Sequence, residues 1–183
     1  MCGIVGYVGH RDAISVIVAG LQRLEYRGYD SAGIATVNDG TLDVRKTTGK
    51  ISALEMLIGV DRPVGTLGIG HTRWATHGRP TDANAHPHVD CQSRLAVVHN
   101  GIIENYRELR KTLAADGHRF RSQTDTEVIA HLIERHLTDD LAEAIRRAAR
   151  DLHGAYAVAC ISPDAPGTLV AFRCGGSPLV VGY

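Results

Sequence analysis

The chain reads as an α/β (α+β) protein in which antiparallel sheets are covered by helices, and three observations support this. Short apolar runs fall at both ends of the chain while the helical periodicities crowd into its middle. Two alternating runs, Gly33–Val37 and Thr41–Lys46, meet across Asn38-Asp39-Gly40 as a hairpin. The 20 glycines cluster around the apolar runs, where tight turns and close backbone approaches are expected.

Taken in order, Cys2 to Val8 is a first strand ended by Gly9. Asp12 caps a helix whose Ile14, Ile17, Val18, Leu21 and Leu24 share one face. Glu25 to Gly33 is too rich in glycine and charge for a regular element. After the hairpin, a short helix is expected around Ser52–Ile58 and a strand over Thr66–His71. A polar segment follows from Thr72 to Gln92, and irregular segments of that length usually carry function. Leu95–His99 is a strand broken by the turn dipeptide Asn100-Gly101. Tyr106, Leu109 and Leu113 mark a helical face. Thr124-Asp125-Thr126-Glu127 has the form of a capping box, opening a helix with Val128, Ile129, Leu132 and Ile133 inside. Asp139 or Asp140 caps a further helix carrying Leu141, Ile145, Ala148 and Leu152. Ala155–Ile161, Leu169–Arg173 and Leu179–Val181 close the chain as strands.

The 183 residues suffice for one well-buried domain, and no linker divides them. Lys+Arg and Asp+Glu balance at 20 each, so no basic field points to nucleic acid or a membrane surface. No apolar run reaches the length of a membrane span, and no signal peptide opens the chain. Four scattered cysteines without a C-x-x-C pair fit reduced cytoplasm. Cys91, Cys160 and Cys174 are read as structural, buried and inert.

The chemistry starts at Cys2. With Met1 removed, this residue carries a thiol and a free α-amine whose reference pKa of about 7.7–8.0 suits it to take the thiol's proton. Arg27 and Arg73 are fixed cations suited to a carboxylate. Asn100-Gly101 offers an amide and an unhindered N–H to an oxyanion, and Asp125 could pair with an ammonium group. Together these describe a site for a free amino acid with a side-chain amide, glutamine or asparagine. Singly, each has an ordinary explanation: surface ion pairs for the arginines, a turn for Asn100-Gly101, dipole compensation for Asp125. His71, His77, His86 and His88 raise a metal site as an alternative, but no carboxylate or cysteine stands at ligand spacing, so no metal and no cofactor are expected. Gly3, Gly6 and Gly9 lack dinucleotide-fingerprint spacing.

The ordered series Cys2-Gly3-Ile4-Val5-Gly6, Leu24–Gly33, Gly70–Gly78, Asn84–His88, His99–Tyr106 and Thr124–Glu127 resembles the N-terminal glutaminase domain of the glutamine–fructose-6-phosphate aminotransferase (glucosamine-6-phosphate synthase) family over almost the whole chain. The resemblance implies a four-layer α/β/β/α sandwich of the N-terminal-nucleophile hydrolase type. It implies a class II glutamine amidotransferase (glutaminase) domain over residues 1–183, with the sugar-isomerase domains absent from this chain. L-glutamine would be cleaved to glutamate, and the ammonia would serve amino sugar biosynthesis. Fructose 6-phosphate would act only through the missing domains. A cytoplasmic location, a homodimeric full-length enzyme and a monomeric fragment are also implied. By motif, Cys2 is the nucleophile, Asn100 and Gly101 form the oxyanion hole, and Arg27 and Gly28 wall the Cys2 amine. Arg73 holds the substrate carboxylate with Thr76 and His77 beside it, Asp125 and Gly101 meet the α-amino group, and Trp74 lies on a covering loop. The rival readings are the glutaminase half of amidophosphoribosyltransferase or asparagine synthetase, and a module that senses glutamine without cleaving it.

Overall fold

The computed structural model describes residues 2–182. The expectation that Met1 is removed therefore concerns a residue outside them. Two four-stranded antiparallel sheets stack face to face. The first has the order β1 (Gly3–Val8), β4 (Leu67–Arg73), β2 (Ser31–Asn38), β3 (Thr41–Thr48). The second runs β5 (His88–Val89), β6 (Ala96–Ile103), β7 (Gly154–Ile161), β8 (Leu169–Cys174). Helices α1 (Ala13–Leu24) and α2 (Ile51–Val60) cover the outer face of the first sheet. Helices α3 (Tyr106–Ala115), α4 (Thr126–His136) and α5 (Leu141–Asp151) cover that of the second.

Strand alternation builds these layers. On β2, Ala32 and Ile34 face Ile14, Ile17 and Leu21 of α1, while Ala35 and Val37 turn to the other sheet. On β6, Ala96 and Val98 meet them there, and Val97 points back to Val128, Ile129 and Leu132 of α4. Three apolar layers result, so the four-layer α/β/β/α sandwich is realised. At Gly70 of β4 an added Cβ would stand 2.3 Å from Ile17 Cγ2, and only glycine lets α1 lie this close to the sheet.

Several local expectations hold. The Asp12 carboxylate accepts from Ser15 N, and Asp140, rather than Asp139, caps α5 by accepting from Glu143 N. The hairpin pairs Asn38 with Thr41.

Others are corrected. Asn100-Gly101 does not break the strand: β6 runs through to Ile103, with Asn100 opposite Ala157 and Gly101 opposite Tyr156. β4 likewise extends through Thr72 and Arg73, because β1 and β2 flank it on both sides and supply partners for those residues. The capping box is only half made. Thr124 Oγ1 accepts from Glu127 N at 3.3 Å, but the Glu127 carboxylate turns to the N–H groups of Arg121 and Ser122. Leu179–Val181 forms no strand and lies exposed, since no sheet edge receives it. The short strand β5 sits inside the polar segment, too brief for periodicity to reveal.

Candidate active site

The site lies where β1, β4 and β6 come together across the two sheets. Cys2 stands immediately before β1, and β1 pairs with β4 so that Gly3 lies opposite Thr72. Trp74, just beyond β4, donates its backbone N–H to Cys2 Sγ at 3.2 Å. Burial pushes the Cys2 thiol above its usual pKa; the Trp74 N–H and the charge of Arg73 pull the other way. The thiol is thus held as a neutral group that needs a base to become a nucleophile.

From the second sheet, β6 brings Asn100 alongside. Its Nδ2 donates to the Cys2 carbonyl at 3.5 Å, and its Oδ1 lies 2.8 Å from His71 Nε2. The amide oxygen can only accept, so His71 presents Nε2–H, and the Asn100 NH2 is left facing Cys2. Burial holds the His71 pKa down to about 3, so the ring stays a neutral donor near pH 7. Gly101 follows with φ +123°, and a Cβ there would stand 2.2 Å from Ala155 O.

Arg73, at the end of β4, is 3% exposed. Its Nη2 donates to the carbonyls of His77 and Gly78, and its Nη1 lies 4.0 Å from Asp30 Oδ1. Nη1 is buried without a hydrogen-bond partner among the described residues. A buried guanidinium with a spare donor is suited to an incoming carboxylate. Asp125 precedes α4. Its Oδ2 accepts from Ile103 N at 2.9 Å, and its Oδ1 stands 3.9 Å from His77 Nδ1. His77 packs its edge on Tyr106.

The remaining positions lie around this centre. Trp74 is 55% exposed, with its ring against Gly28, where an added Cβ would meet it at 3.3 Å. Thr76 is exposed on the same loop. Arg27 is exposed in the turn before Gly28, its Nε donating to Tyr26 OH at 3.3 Å. Gly28 closes that turn by donating to Glu25 O.

Sequence reasoning overlooked Asp30 and the part played by His71. The Asp30 carboxylate accepts from Ala75 N at 2.5 Å and from Ser31 Oγ, which anchors the loop that carries Trp74. An acid between a glycine-rich turn and a strand was the available signal. Of the histidines considered for a metal, His71 stacks on His86 at 4.2 Å and His86 meets His88 edge-on at 4.9 Å. Burial holds His86 and His88 well below their ordinary pKa. Of the cysteines read as buried, Cys160 is; Cys91 is only half-buried and Cys174 is exposed, lying near the end of edge strand β8.

Stacked antiparallel sheets between helices, with a thiol at the head of the first strand, define the N-terminal-nucleophile architecture. The chain belongs to the glutamine amidotransferase domain family, whose profile matches residues 71–183. It is 58% identical over 183 residues to the isomerizing glutamine–fructose-6-phosphate aminotransferase of Symbiobacterium thermophilum, covering 100% of this chain and 30% of that protein. With the same enzyme of Aquifex aeolicus it shares 56% identity over 183 residues, covering 31% of that protein. The chain thus spans about a third of the length of these curated relatives. Among solved structures, it resembles the glutamine phosphoribosylpyrophosphate amidotransferase of B. subtilis, with a TM-score of 0.76 and 31% identity over 89% of this chain and 35% of that one. Among the described residues no helix is long and apolar enough to cross a membrane.

Proposed function

We propose that this chain is a glutaminase unit that cleaves the side-chain amide of L-glutamine and passes on the ammonia. The observation that carries the reading is the meeting of Cys2 with the His71-oriented amide of Asn100. That contact supports the reading, because an amide donor turned toward the nucleophile's residue suits a developing oxyanion.

With Met1 removed, the Cys2 amine takes the thiol proton as sulfur adds to the amide carbon. The carbonyl oxygen, now negative, receives hydrogen bonds from Asn100 Nδ2 and Gly101 N–H. The amine returns the proton to the departing nitrogen, ammonia leaves, and water hydrolyses the thioester to glutamate. Arg73 Nη1 takes the substrate's α-carboxylate and Asp125 Oδ1 its α-ammonium, with Thr76, His77 and Trp74 closing around them. Arg27 and Gly28 wall the Cys2 amine.

Residues 1–183 form one domain in this reading, within a cytoplasmic, homodimeric enzyme. Its sugar-isomerase domains would use the ammonia to turn fructose 6-phosphate into glucosamine 6-phosphate. The 58% identity to an isomerizing aminotransferase favours that destination over purine or asparagine synthesis.

The test is glutamate release by the Met-free chain, with and without fructose 6-phosphate. Wild type should hydrolyse glutamine, be nearly indifferent to the sugar phosphate and form no aminosugar. Cys2→Ala, or a preparation whose intact mass shows Met1 fully retained, should be inactive. Turnover by either would overturn the assignment of Cys2 and its amine.

A further inference from the structure

Away from Cys2, four side chains converge whose donor atoms all lie within 4.8 Å of one another: Cys91, His118, His131 and Glu134. Cys91 Sγ stands 3.6 Å from His131 Nδ1 and 4.0 Å from His118 Nδ1. Glu134 Oε2 lies 2.7 Å from His118 Nδ1 and 3.0 Å from His131 Nδ1. We propose that these four residues form a structural binding site for a divalent transition-metal ion of the zinc class, which pins two loops onto α4.

The donor set selects the ion. One thiolate, two imidazoles and one carboxylate suit zinc, whereas calcium and magnesium take oxygen ligands. Metal–ligand bonds of about 2.0–2.3 Å at tetrahedral angles set donor separations of about 3.3–3.7 Å. Of the sulfur–nitrogen pairs, that to His131 at 3.6 Å falls within the range and that to His118 at 4.0 Å lies just above it. The nitrogen–oxygen pairs, now at hydrogen-bond length, must open by about half an ångström, within reach of small side-chain rotations.

Charge and surroundings agree. A thiolate and a carboxylate together cancel a divalent cation, so binding leaves the site neutral; the Cys91 thiol gives up its proton, and each imidazole turns its Nδ1 lone pair to the ion while keeping a proton on Nε2. Arg119 N donates to Cys91 Sγ at 3.3 Å, as a backbone donor does to a ligating thiolate. His131 Nε2 is buried without a hydrogen-bond partner among the described residues, and Glu127 Oε1 lies 3.7 Å from it. A small closure would complete a carboxylate–histidine–metal arrangement. Phe120 packs its edge on the His131 ring at 4.5 Å, shielding one side. His118 and Cys91 are partly exposed, so an ion can enter there. Sequence spacing did not show this site, because its ligands come from the β5–β6 connection, the α3–α4 connection and α4.

Three protein residues plus an open position mark catalytic zinc; four mark a closed, structural one. The ion would therefore act on the fold, fixing the helix that Asp125 leads into.

The experiment uses chelator-treated full chain titrated with Co2+, followed by Zn2+ displacement. Wild type should bind one equivalent, develop a thiolate-to-cobalt charge-transfer band and lose it to zinc. Cys2→Ser should keep the band. Cys91→Ser should lose it, and His118→Gln, at the exposed side, should weaken binding at least tenfold. Glutamine hydrolysis and the helical circular dichroism of Cys91→Ser and His118→Gln should stay near wild type. Should Cys91→Ser fail to fold, the Cys2→Ser and His118→Gln arms decide. The proposal is overturned by absence of a band in wild type, by a band that needs Cys2, or by unchanged affinity in His118→Gln.

Discussion

At the residue scale, the proposed site rests on orientation more than on unusual acidity. Asn100 is useful only with its NH2 toward Cys2, and His71 enforces that by giving its Nε2–H to the amide oxygen. Asn100→Ala should lower kcat by about 10²–10³, the usual loss for one oxyanion donor. His71→Leu should lower kcat in the same direction with little change in KM, and in the double variant the two losses should not multiply. Equal, independent losses measured by steady-state glutamate release would remove His71 from that role. Substrate recognition should separate from this. Arg73→Lys cannot offer a planar fork, and Asp125→Asn loses the charge opposite an ammonium, so each should raise KM by about one to two powers of ten. Unchanged Michaelis constants would make both residues architectural.

At the scale of elements, the sequence revealed the helices better than the ends of the strands. Amphipathic spacing and caps such as Asp12 and Asp140 are local, so α1 and α5 were legible from a few neighbouring residues. Whether Asn100-Gly101 turns or continues as strand depends on β7, which lies more than fifty residues away and supplies Ala157 and Tyr156 as partners. The same holds for the proposed ion ligands, which only tertiary packing unites. Of the proposed glutaminase residues, Cys2, Asn100, Arg73 and Asp125 were readable as a set of chemistries. His71 was not, because its role rests on a contact between sheets. β6 is bound to glycine at 101, where φ is +123° and the Ala155 carbonyl fills the space a Cβ would need. Gly101→Ala should therefore destabilise the fold by about 1–3 kcal/mol from backbone strain alone. It should also lower kcat more than Ala substitutions at exposed turn glycines such as Gly40 do. Chemical denaturation and glutamate release on the same samples would show it, and a neutral Gly101→Ala would mean that β6 relaxes freely there.

At the scale of the whole molecule, four buried histidines set the response to acid: His71 on β4 faces the second sheet and stacks on His86, while His88 and His99 turn toward the residues that open α4. His71, His86, His88 and His99 are all at most 4% exposed. Burial lowers each pKa from the usual 6.5, to about 3 for His71 and about 4 for His99. Neutral rings are at home here: His99 Nδ1 meets Thr126 Oγ1 at 2.8 Å, and His88 Nε2 meets Thr124 Oγ1 at 3.0 Å. In the unfolded chain the same rings bind protons near pH 6.5, so between the two values the unfolded state holds more protons than the folded one. The stability they contribute is therefore complete above about pH 6.5 and falls as pH drops toward about 4 for His99 and about 3 for His71. Within that window each such histidine costs about 1.4 kcal/mol per pH unit, so a few acting together outweigh most other titrations. Glu127, held down to about 2 by hydrogen bonds that outweigh its burial, adds a loss of the same sign below about pH 4.5. His131 opposes them, because neighbouring carboxylates raise its pKa despite burial, but it is one ring against four. Urea unfolding measured from pH 8 down to pH 5 should show stability nearly level to about pH 6.5 and then falling steeply, with uptake of more than one proton on unfolding. A profile flat to pH 5 would mean that water reaches these rings and that burial does not hold them neutral.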